Sequence, residues 1–458
     1  MRPDFFRQLT AAVGAVHLRS DADALNTYGQ DALGIGHPPD LVVFPGSTQQ
    51  IAVVARLCNE HRVPLVVRGA GTGYTGGAVP TSGGVVLSME RLNRILEIDE
   101  TNLLAVVEPN VITGDLQRAV ERVGLFYPPD PASLAISSIG GNVAECAGGP
   151  RAFKYGTTKR YVLALEAVLP TGEIVETGSK AVKNVVGYDL TQLLVGSEGT
   201  LAIITRITLR LVPKPPAQAT LLAMFADIQG AVDAVTALIQ ARVVPAAIEL
   251  IDHDSLRAVR EHTGQDVAPP GIGAVLIVES DGTQAAVDED IDRAAKACRD
   301  VGAARVVLAA SEEERERLWS LRRLISPALK ATGLLKINHD VVVPRGRVPG
   351  LFAVVEELKH TYGLRIASFG HAGDGNIHVN LMVDRADLAE LARAKQAERV
   401  LFERVVALEG SISGEHGIGF AKAPYLDIEL SADEIALMKR VKAAFDPNGI
   451  LNPGKMFP

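Results

Sequence analysis

Short runs of apolar and β-branched residues alternate with amphipathic stretches over the first 110 residues. Between two of these runs, the segment Gln49–His61 repeats its apolar residues at the spacing of a helix face. A helix pattern enclosed by strand patterns indicates an α/β arrangement. The predicted strands are Asp40–Phe44, Pro64–Arg68, Gly84–Ser88 and Leu104–Glu108. From residue 160 to residue 212 the strand patterns are separated only by short turns, which predicts antiparallel strands at Leu163–Pro170, Ile174–Thr177 and Leu201–Val212.

The proline-rich segment Val212–Pro216 is the best candidate for a linker in the chain. After it, strand patterns alternate with long helix patterns, which predicts a second, α+β domain. Its predicted strands are Leu221–Phe225, Ile248–Ile251, Ala274–Glu279 and Arg305–Ala309, and its helices are Ile228–Arg242, Gln284–Val301, Pro349–Tyr362, Asp387–Leu408 and Ala432–Phe445. A length of 458 residues fits two or three domains. We predict an N-terminal helical segment at 1–37, a first domain at 38–215, and a second at 216–458 that ends in a helical cap over about 385–458.

The charge and the cysteines narrow the class of protein. The chain has 46 Lys and Arg against 54 Asp and Glu, a formal charge of −8, and no dense basic tract, which argues against binding of nucleic acid or of an anionic membrane. Cys58, Cys146 and Cys298 are far apart, which argues against disulfides and favours a reducing compartment. No apolar run reaches the roughly 18–20 residues of a membrane span. The stretch Leu9–Val16 fits a first helix better than a cleaved signal, so we expect a soluble, cytoplasmic protein.

The 43 glycines are clustered, and the first cluster directly follows a predicted strand. Gly71, Gly73 and Gly76 match the dinucleotide-binding fingerprint, but that fingerprint needs a helix immediately afterwards. Residues 78–84 have no helical period and lead into another strand, which argues against a Rossmann fold. We interpret the loop as a nest of backbone N–H groups that can cradle a phosphate, with Arg68 adding charge at its entrance. A plain glycine-rich hairpin is the alternative.

Two further glycine clusters, at 128–156 and 183–200, also lie beside predicted strands. Glycine leaves the backbone uncovered, so such clusters mark places where the chain approaches something closely. Three stretches of this kind suit a long ligand that has two phosphates and a flat ring system.

Histidines and a carboxylate recur in two glycine-flanked segments near the C-terminus. If Asn376–Asn380 is extended, Asn376, His378 and Asn380 share one face, and His371 precedes them by a short glycine turn. Glu415 and His416 lie on a second glycine turn. Two imidazoles and one carboxylate suit a catalytic divalent metal such as Zn²⁺, and the same set binds non-haem Fe(II). Individually, each histidine could equally be a structural residue.

A candidate anion site lies on a predicted helix. Ser311 and Glu314 form a predicted capping box at its start, and Arg322 and Ser326 follow on one face of it. An Arg guanidinium is a planar fork that matches a carboxylate, although helix-borne arginines are commonly solvated.

A further histidine lies in the extended pattern at 335–341, and this pattern indicates a structural role for it. His339 alternates with Ile337 and Val341, which indicates that it is packed in the core. Lys336 lies on the opposite face, together with Asn338 and Asp340.

In their order along the chain and in their amino-acid sequence, these motifs resemble those of the flavoenzymes of the vanillyl-alcohol-oxidase type, also called the p-cresol methylhydroxylase type. The resemblance extends from about Pro38 to Pro458 and is greatest to the branch of the glycolate oxidase D-subunit, D-lactate dehydrogenase and D-2-hydroxyglutarate dehydrogenase. The segments Val182–Leu190 and Leu451–Phe457 are most similar to the glycolate and D-lactate members. The resemblance implies a two-part FAD-binding domain of the p-cresol methylhydroxylase type, followed by an α+β substrate domain and a helical C-terminal cap.

The resemblance also implies which residues bind FAD. Some relatives attach FAD through a His in the first loop, and Thr72 stands at the corresponding position here, so non-covalent FAD is expected. The implied FAD-binding residues are Arg68, Gly69, Gly71, Thr72, Gly73, Gly76, Gly77, Pro129, Asp130, Ser137, Gly140, Gly141, Asn142, Ala144, Gly148, Tyr155, Glu198, Gly199, Ile203 and Asn452.

The resemblance assigns roles to the C-terminal residues as well. It implies His371, His378 and Glu415 as ligands of a divalent metal, with zinc preferred and manganese or iron as alternatives. It also implies His416 as the catalytic base. The implied substrate-binding residues are Arg322, Ser326, Lys336 and Asn380.

The expected activity is oxidation of a D-2-hydroxy acid of the glycolate or D-lactate class to the 2-oxo acid, with hydride passed to flavin N5. A D-2-hydroxyglutarate dehydrogenase is the alternative within the family. A metal-dependent hydrolase of a nucleotide-like substrate is the alternative from another class. The expected partners are the small hydroxy acid and an electron acceptor, either a protein such as an iron–sulfur subunit or a quinone. A homodimer and peripheral association with the inner membrane through a partner are compatible with this interpretation.

Overall fold

The computed structural model describes residues 2–265 and 268–457. The chain divides into two compact units, neither of which is continuous in sequence. Unit 1 comprises Met1–Gly148, Thr157–Lys214 and Glu415–Pro458, and unit 2 comprises Gly149–Gly156 and Pro215–Gly414. The domain boundaries drawn from the sequence stay a prediction, since these units are defined by contacts in space. No helix within the described ranges is long and apolar enough to cross a membrane.

The strands, in chain order, are β1 (Leu18–Arg19), β2 (Leu41–Val43), β3 (Leu65–Arg68), β4 (Val85–Ser88), β5 (Ile95–Asp99), β6 (Leu104–Val107), β7 (Leu125–Phe126), β8 (Val162–Val168), β9 (Ile174–Gly178), β10 (Ile203–Arg210), β11 (Val212–Pro213), β12 (Ala217–Phe225), β13 (Ala247–Asp252), β14 (Ala274–Gly282), β15 (Arg305–Leu308), β16 (Leu335–Val342), β17 (Arg365–His371) and β18 (Asn376–Val383).

The α-helices are α1 (Pro3–Val13), α2 (Ala22–Tyr28), α3 (Thr48–His61), α4 (Thr113–Glu121), α5 (Ile139–Glu145), α6 (Ala152–Tyr155), α7 (Leu190–Leu194), α8 (Ile228–Gln240), α9 (His253–Thr263), α10 (Gln284–Asp300), α11 (Glu312–Ala331), α12 (Val348–Tyr362), α13 (Leu388–Ala407), α14 (Leu426–Glu429) and α15 (Ala432–Phe445).

Unit 1 contains two main sheets. The first has the order β1-β2-β4-β3, and β2, β4 and β3 run parallel. Helix α3, capped by Ser47 whose side chain accepts from the Gln50 N–H, places Ile51, Val54 and Cys58 against this sheet. The second sheet is antiparallel, with the order β5-β6-β10-β8-β9. The predicted α/β arrangement is confirmed for β2, β3 and β4 with helix α3, and the predicted antiparallel region is confirmed, but the predicted strand Leu104–Glu108 (β6) belongs to the antiparallel sheet and not to the α/β region.

The C-terminal segment completes the core of unit 1. Leu451 is fully buried, forms a parallel bridge with Leu65 of β3, and packs in the same core as Phe5 and Leu9 of α1. The Asp446 carboxylate accepts hydrogen bonds from the backbone N–H groups of Ile450 and Leu451. Strand β3, which leads into the first glycine loop, is thus held by residues from the far end of the chain.

Unit 2 is built on one antiparallel sheet with the order β15-β12-β14-β13-β17-β18-β16. On one face, Ile251, Phe369 and other apolar residues form a core with helices α9 and α11. Because side chains alternate along a strand, residues two positions away on β13, β17 and β18 lie on this same face. The register therefore adds Glu249, His371 and His378 to the face that α11 covers.

Several local expectations can be compared with the structure. Asn376–Asn380 is extended as predicted, but every residue of β18 is buried, so its polar face is not open to solvent. The second glycine cluster forms helix α5 instead of remaining loop. Gly140 permits this helix because an added Cβ would lie 2.5 Å from the Cβ of Pro109. His339 is packed as predicted, with its ring 5.2 Å from that of Phe402.

The start of α11 corrects the predicted capping box. The Ser311 hydroxyl accepts from the Glu314 N–H at 3.2 Å, as predicted. The Glu314 carboxylate, however, accepts from the N–H of Ala310 and not from that of Ser311. The helix therefore begins where the sequence predicts, with a different partner for its first-turn carboxylate.

We expect Leu451→Ala to destabilise unit 1, because it removes a fully buried side chain from the core around β3. The loss should be about 2–5 kcal/mol, measured by chemical unfolding. Leu437→Ala on α15 is the matched control, since Leu437 is 53% exposed and its truncation should cost little. Equal stability of both variants would contradict the packing described.

Candidate active site

The first glycine loop leaves β3 and reaches β4 without forming a helix, which confirms that the dinucleotide fingerprint is not used as in a Rossmann fold. Gly76 has a φ of +79°, and an added Cβ would collide with the ring of Phe420, so glycine is required there. The Arg68 guanidinium lies against Gly71 and donates to the Gln30 carbonyl. Burial lowers the pKa of Arg68, although nearby Asp31 opposes this. The predicted positive charge at the loop entrance is therefore present, but it is largely enclosed.

The residues of the second glycine cluster hold one another in place. The Ser137 hydroxyl lies 2.9 Å from that of Thr113, and the Asn142 amide donates to the same Thr113 oxygen at 2.7 Å. Ser138 caps α5 by accepting from the Gly141 N–H. The side-chain polar atoms of Ser137 and Asn142 are thus used within the protein and fix the position of this glycine-rich backbone.

Glu198 and Asn452 connect the glycine loops. Both carboxylate oxygens of Glu198 accept backbone N–H groups, from Ile418 and Gly419, each at 2.7 Å. The Asn452 amide donates to the carbonyls of Gly77 and Glu198. These two side chains hold the first and third loops together with the segment that follows His416.

His416 lies directly on the first glycine loop. Its ring stacks on that of Tyr74 at 5.5 Å, and its carbonyl accepts from the Thr75 hydroxyl at 3.1 Å. Glu415 approaches Gly148 so closely that an added Cβ there would lie 2.7 Å from a Glu415 carboxylate oxygen. The predicted base and one predicted metal ligand therefore share unit 1 with the predicted FAD-binding loops.

Two predicted metal ligands share the polar face of the sheet in unit 2. The rings of His371 and His378 are 5.4 Å apart and nearly perpendicular. The Nδ1 atom of His378 lies 3.7 Å from an Asp340 carboxylate oxygen. Asn380 accepts from the Asn338 amide at 2.7 Å on the same face. The predicted polar face is thus real and extends across β16, β17 and β18.

The predicted carboxylate-binding residues also come together in unit 2. The Lys336 ammonium donates to the Ser326 hydroxyl at 2.7 Å. The Arg322 guanidinium carbon lies 4.7 Å, and the Lys336 nitrogen 5.9 Å, from the centre of the Phe369 ring. Burial, followed by the charges of Lys330 and Arg322, lowers the pKa of Lys336 to about 8. Two cationic groups therefore lie within 6 Å of the centre of one aromatic ring, and one of them, Arg322, is also paired with Glu249.

Glu249 is a site residue that the sequence analysis missed. Its Oε1 atom lies 2.5 Å from Nδ1 of His371, and its Oε2 atom accepts from Nε of Arg322. Burial by itself would raise the pKa of Glu249, but His371 and Arg322 outweigh burial and lower it. The signal in the sequence was an acid between Ile248 and Leu250 in an apolar strand, because a charged residue is rarely buried without a partner.

Asp31 and Glu145 were also missed. Asp31 Oδ2 and Glu145 Oε2 are buried and have no hydrogen-bond partner within the described residues. Burial raises the pKa of Asp31 to about 6, and burial together with Glu198 and Asp31 raises that of Glu145. An added Cβ on Gly77 would lie 2.8 Å from a Glu145 oxygen, and one on Gly73 would lie 4.0 Å from Asp31 Oδ2, so both acids border the first glycine loop. Buried polar atoms left unsatisfied beside a glycine cradle fit a binding site for a large polar cofactor.

The other implied FAD residues are distributed as follows. Tyr155 belongs to unit 2, where its hydroxyl donates to Asp281 at 2.7 Å. Ile203 is fully buried in the core of unit 1, and the Pro129 carbonyl accepts from Gln117. The remaining ones lie in the loops and short helix of unit 1 already described, at Gly69, Thr72, Gly73, Asp130, Gly141, Ala144 and Gly199.

Two protein families and several known proteins are similar to this chain. The family described as "FAD binding domain" matches residues 39–178, and "FAD linked oxidases, C-terminal domain" matches residues 214–456. The chain is 45% identical to glycolate oxidase subunit GlcD of Bacillus subtilis (strain 168), over 92% of this chain and 89% of that protein. It is 37% identical to D-lactate dehydrogenase of Anaerostipes hadrus (91% and 89%). It is 35% identical to D-2-hydroxyglutarate dehydrogenase of Stutzerimonas stutzeri (strain A1501) (99% and 99%).

A solved structure of p-cresol methylhydroxylase with substrate bound has the same fold. The TM-score is 0.81 at 20% identity, over 100% of this chain and 97% of that one. The fold predicted from the resemblance is therefore confirmed. The C-terminal family model matches more than half of the chain, and the 45% identical relative from Bacillus subtilis aligns over 92% of it, so this protein belongs to the FAD-linked oxidases and is an FAD-dependent oxidoreductase.

Proposed function

We propose that this protein is a dehydrogenase that oxidises a D-2-hydroxy acid of the glycolate or D-lactate class to the 2-oxo acid. The observation that carries the proposal is that the Arg322 guanidinium and the Lys336 ammonium both lie close to the Phe369 ring. Phe369 is on the sheet face that also bears His371 and His378. A guanidinium and an ammonium hold a carboxylate, and two imidazoles can hold a metal that binds the neighbouring hydroxyl. The names of the relatives support the same class of substrate.

We propose that His371, His378 and Glu415 hold a divalent metal, preferably zinc, with manganese or iron as alternatives. The ring pair of His371 and His378, with Glu249 bonded to Nδ1 of His371, has the character of a metal-binding histidine set. Gly414 donates its N–H to Asp340, which is paired with His378 in register, and Glu415 is the next residue in the chain. When bound, the metal lowers the pKa of the substrate hydroxyl.

We propose that FAD binds non-covalently to the glycine loops of unit 1, since Thr72 offers no nucleophilic imidazole at the expected attachment position. The unsatisfied oxygens of Asp31 and Glu145 beside the first loop fit such a ligand. FAD held there would supply the acceptor for the hydride that the acid loses from C2.

In this mechanism the chain positions the acid and moves one proton. Arg322 and Lys336 bind the carboxylate, and Asn380 contacts the substrate. The imidazole of His416 takes the proton of the hydroxyl group, because histidine is the side chain that most often serves as a general base. The loss of one proton and one hydride from the alcohol leaves the 2-oxo acid, which balances the two-electron oxidation.

The electron acceptor is proposed to be a partner protein, such as an iron–sulfur subunit, or a quinone. The relative from Bacillus subtilis is named as a subunit of glycolate oxidase, which supports a protein partner. We place this chain in the cytoplasm, with such a partner as its connection to the inner membrane, and a homodimer is compatible with this assembly. D-2-hydroxyglutarate is the alternative substrate, supported by the relative from Stutzerimonas stutzeri.

An anaerobic titration of the FAD-loaded protein tests this proposal. We expect glycolate or D-lactate to bleach the flavin absorption, and D-2-hydroxyglutarate to do so instead if the alternative is correct. His416→Ala should stay yellow but reduce the flavin about 10²–10⁴-fold more slowly, because it lacks the base. His360→Ala, at an exposed position on α12, is the matched control. A colourless protein, or a flavin that no hydroxy acid bleaches, would refute the proposal.

We expect kcat/KM for the acid to fall as the pH rises through about 8, because the lowered pKa of Lys336 means that its ammonium loses its charge there. Removing one charged hydrogen bond should lower kcat/KM about 10-fold or more. Lys336→Arg keeps the charge at all working pH values and should abolish this step in the pH profile. The same step in both proteins would show that another group titrates.

A further inference from the structure

We propose that Glu249 is a positioning residue that holds His371 and Arg322 at once, and so links the proposed metal site to the proposed carboxylate site through a single side chain. This inference rests on the proposed function and extends it to a residue that touches neither metal nor substrate. It is carried by the hydrogen bonds of one fully buried carboxylate within unit 2.

The position of Glu249 is unfavourable for an acid. It lies in the middle of β13, between β14 and β17, with both sequence neighbours in the core. A buried ion costs several kcal/mol unless paired groups compensate, and apolar replacements of buried ion pairs are often more stable. Core packing alone therefore does not account for a carboxylate at this position.

Each oxygen of Glu249 has its own partner. Oε1 lies 2.5 Å from Nδ1 of His371, which is directly opposite in the strand register, and Oε2 accepts from Nε of Arg322 on α11. The carboxylate thus ties together one side chain from the sheet and one from the covering helix. The Arg322 guanidinium is fixed further by stacking over Phe369 at 4.7 Å.

Both contacts have a chemical consequence. An ionised carboxylate only accepts, so the proton of the neutral imidazole is held on Nδ1, and Nε2 carries the lone pair that binds a metal. Glu249 takes the Nε–H of Arg322, which orients the fork of the two Nη groups for a substrate carboxylate. A shift of Glu249 would therefore disturb both proposed functions.

Glu249→Gln distinguishes this role from simple packing, because glutamine has the same shape as glutamate but only one acceptor oxygen in place of two. The Nε–H of Arg322 can only donate, so the amide oxygen should face Arg322 and the amide NH₂ should face His371. His371 must then accept at Nδ1 and carry its proton on Nε2, which is the wrong tautomer for a metal ligand. We expect the affinity for Zn²⁺ to fall about 10–100-fold.

Glu279→Gln is the matched control. Glu279 is also a buried acid, on the neighbouring strand β14, and one of its carboxylate oxygens accepts from both Thr220 and Trp319. An amide oxygen can accept from the same two groups, so this variant should bind Zn²⁺ as the wild type does.

The affinity is measured on the FAD-loaded full chain by competition for Zn²⁺ with a chromogenic chelator. Equal affinity of Glu249→Gln and wild type would overturn the inference while leaving the metal site intact. A wild type that binds no Zn²⁺ would instead overturn the proposed metal site and the inference with it.

Glu249→Asp is the second variant and covers failure of Glu249→Gln to fold, as judged by circular dichroism. It keeps the charge, but it is one methylene too short to reach both partners. At saturating Zn²⁺ we expect a raised KM for the hydroxy acid together with weaker metal binding. Wild-type values for both quantities would overturn the inference.

Discussion

The register of the antiparallel sheet in unit 2 is the constraint on which its chemistry depends. Because side chains alternate along each strand, pairing His371 with Asn376 and Glu249 with His371 puts polar groups of adjacent strands on one face. If the pairing of one strand shifted by a single residue, the polar side chains of that strand would turn to the opposite face of the sheet, and their neighbours along the strand would take their place. The buried apolar residues that fix the register, such as Ile251 and Phe369, therefore also fix the positions of the polar groups.

The cost of burying a carboxylate is met differently at Glu249 and at the first glycine loop. In unit 2, Glu249 is compensated by two donors, and the pKa of this carboxyl is lowered. In unit 1, Asp31 and Glu145 beside the glycine loop each have one carboxylate oxygen without a hydrogen-bond partner among the described residues, and burial raises their pKa values. The partners of Glu249 come from the protein itself, whereas buried acids beside a glycine cradle fit a site that binds a polar ligand.

Much of this fold could be predicted from the sequence, because helices such as α3 and strands such as β18 have strong periodic patterns. The rejection of a Rossmann fold required only the residues that follow Gly76. Contacts between distant segments could not be predicted in the same way. Nothing local to Glu249 indicates that Arg322 and His371 would both approach it, because that depends on which strands pair. Likewise, Asn452 has no periodic signal for its bonds to two glycine-loop carbonyls.

The chain passes between the two units at residues 148/149, 156/157, 214/215 and 414/415, so unit 1 is assembled from three separate segments. Its core includes Leu451, which bridges to Leu65 near the other end of the chain. Contacts between residues so far apart in sequence have a high entropic cost of loop closure, and this cost slows folding. During synthesis, most of unit 1 emerges before Glu415–Pro458, the segment that completes its core. The nascent first half therefore exposes unfinished core surface throughout translation, the condition under which chaperones protect a growing chain.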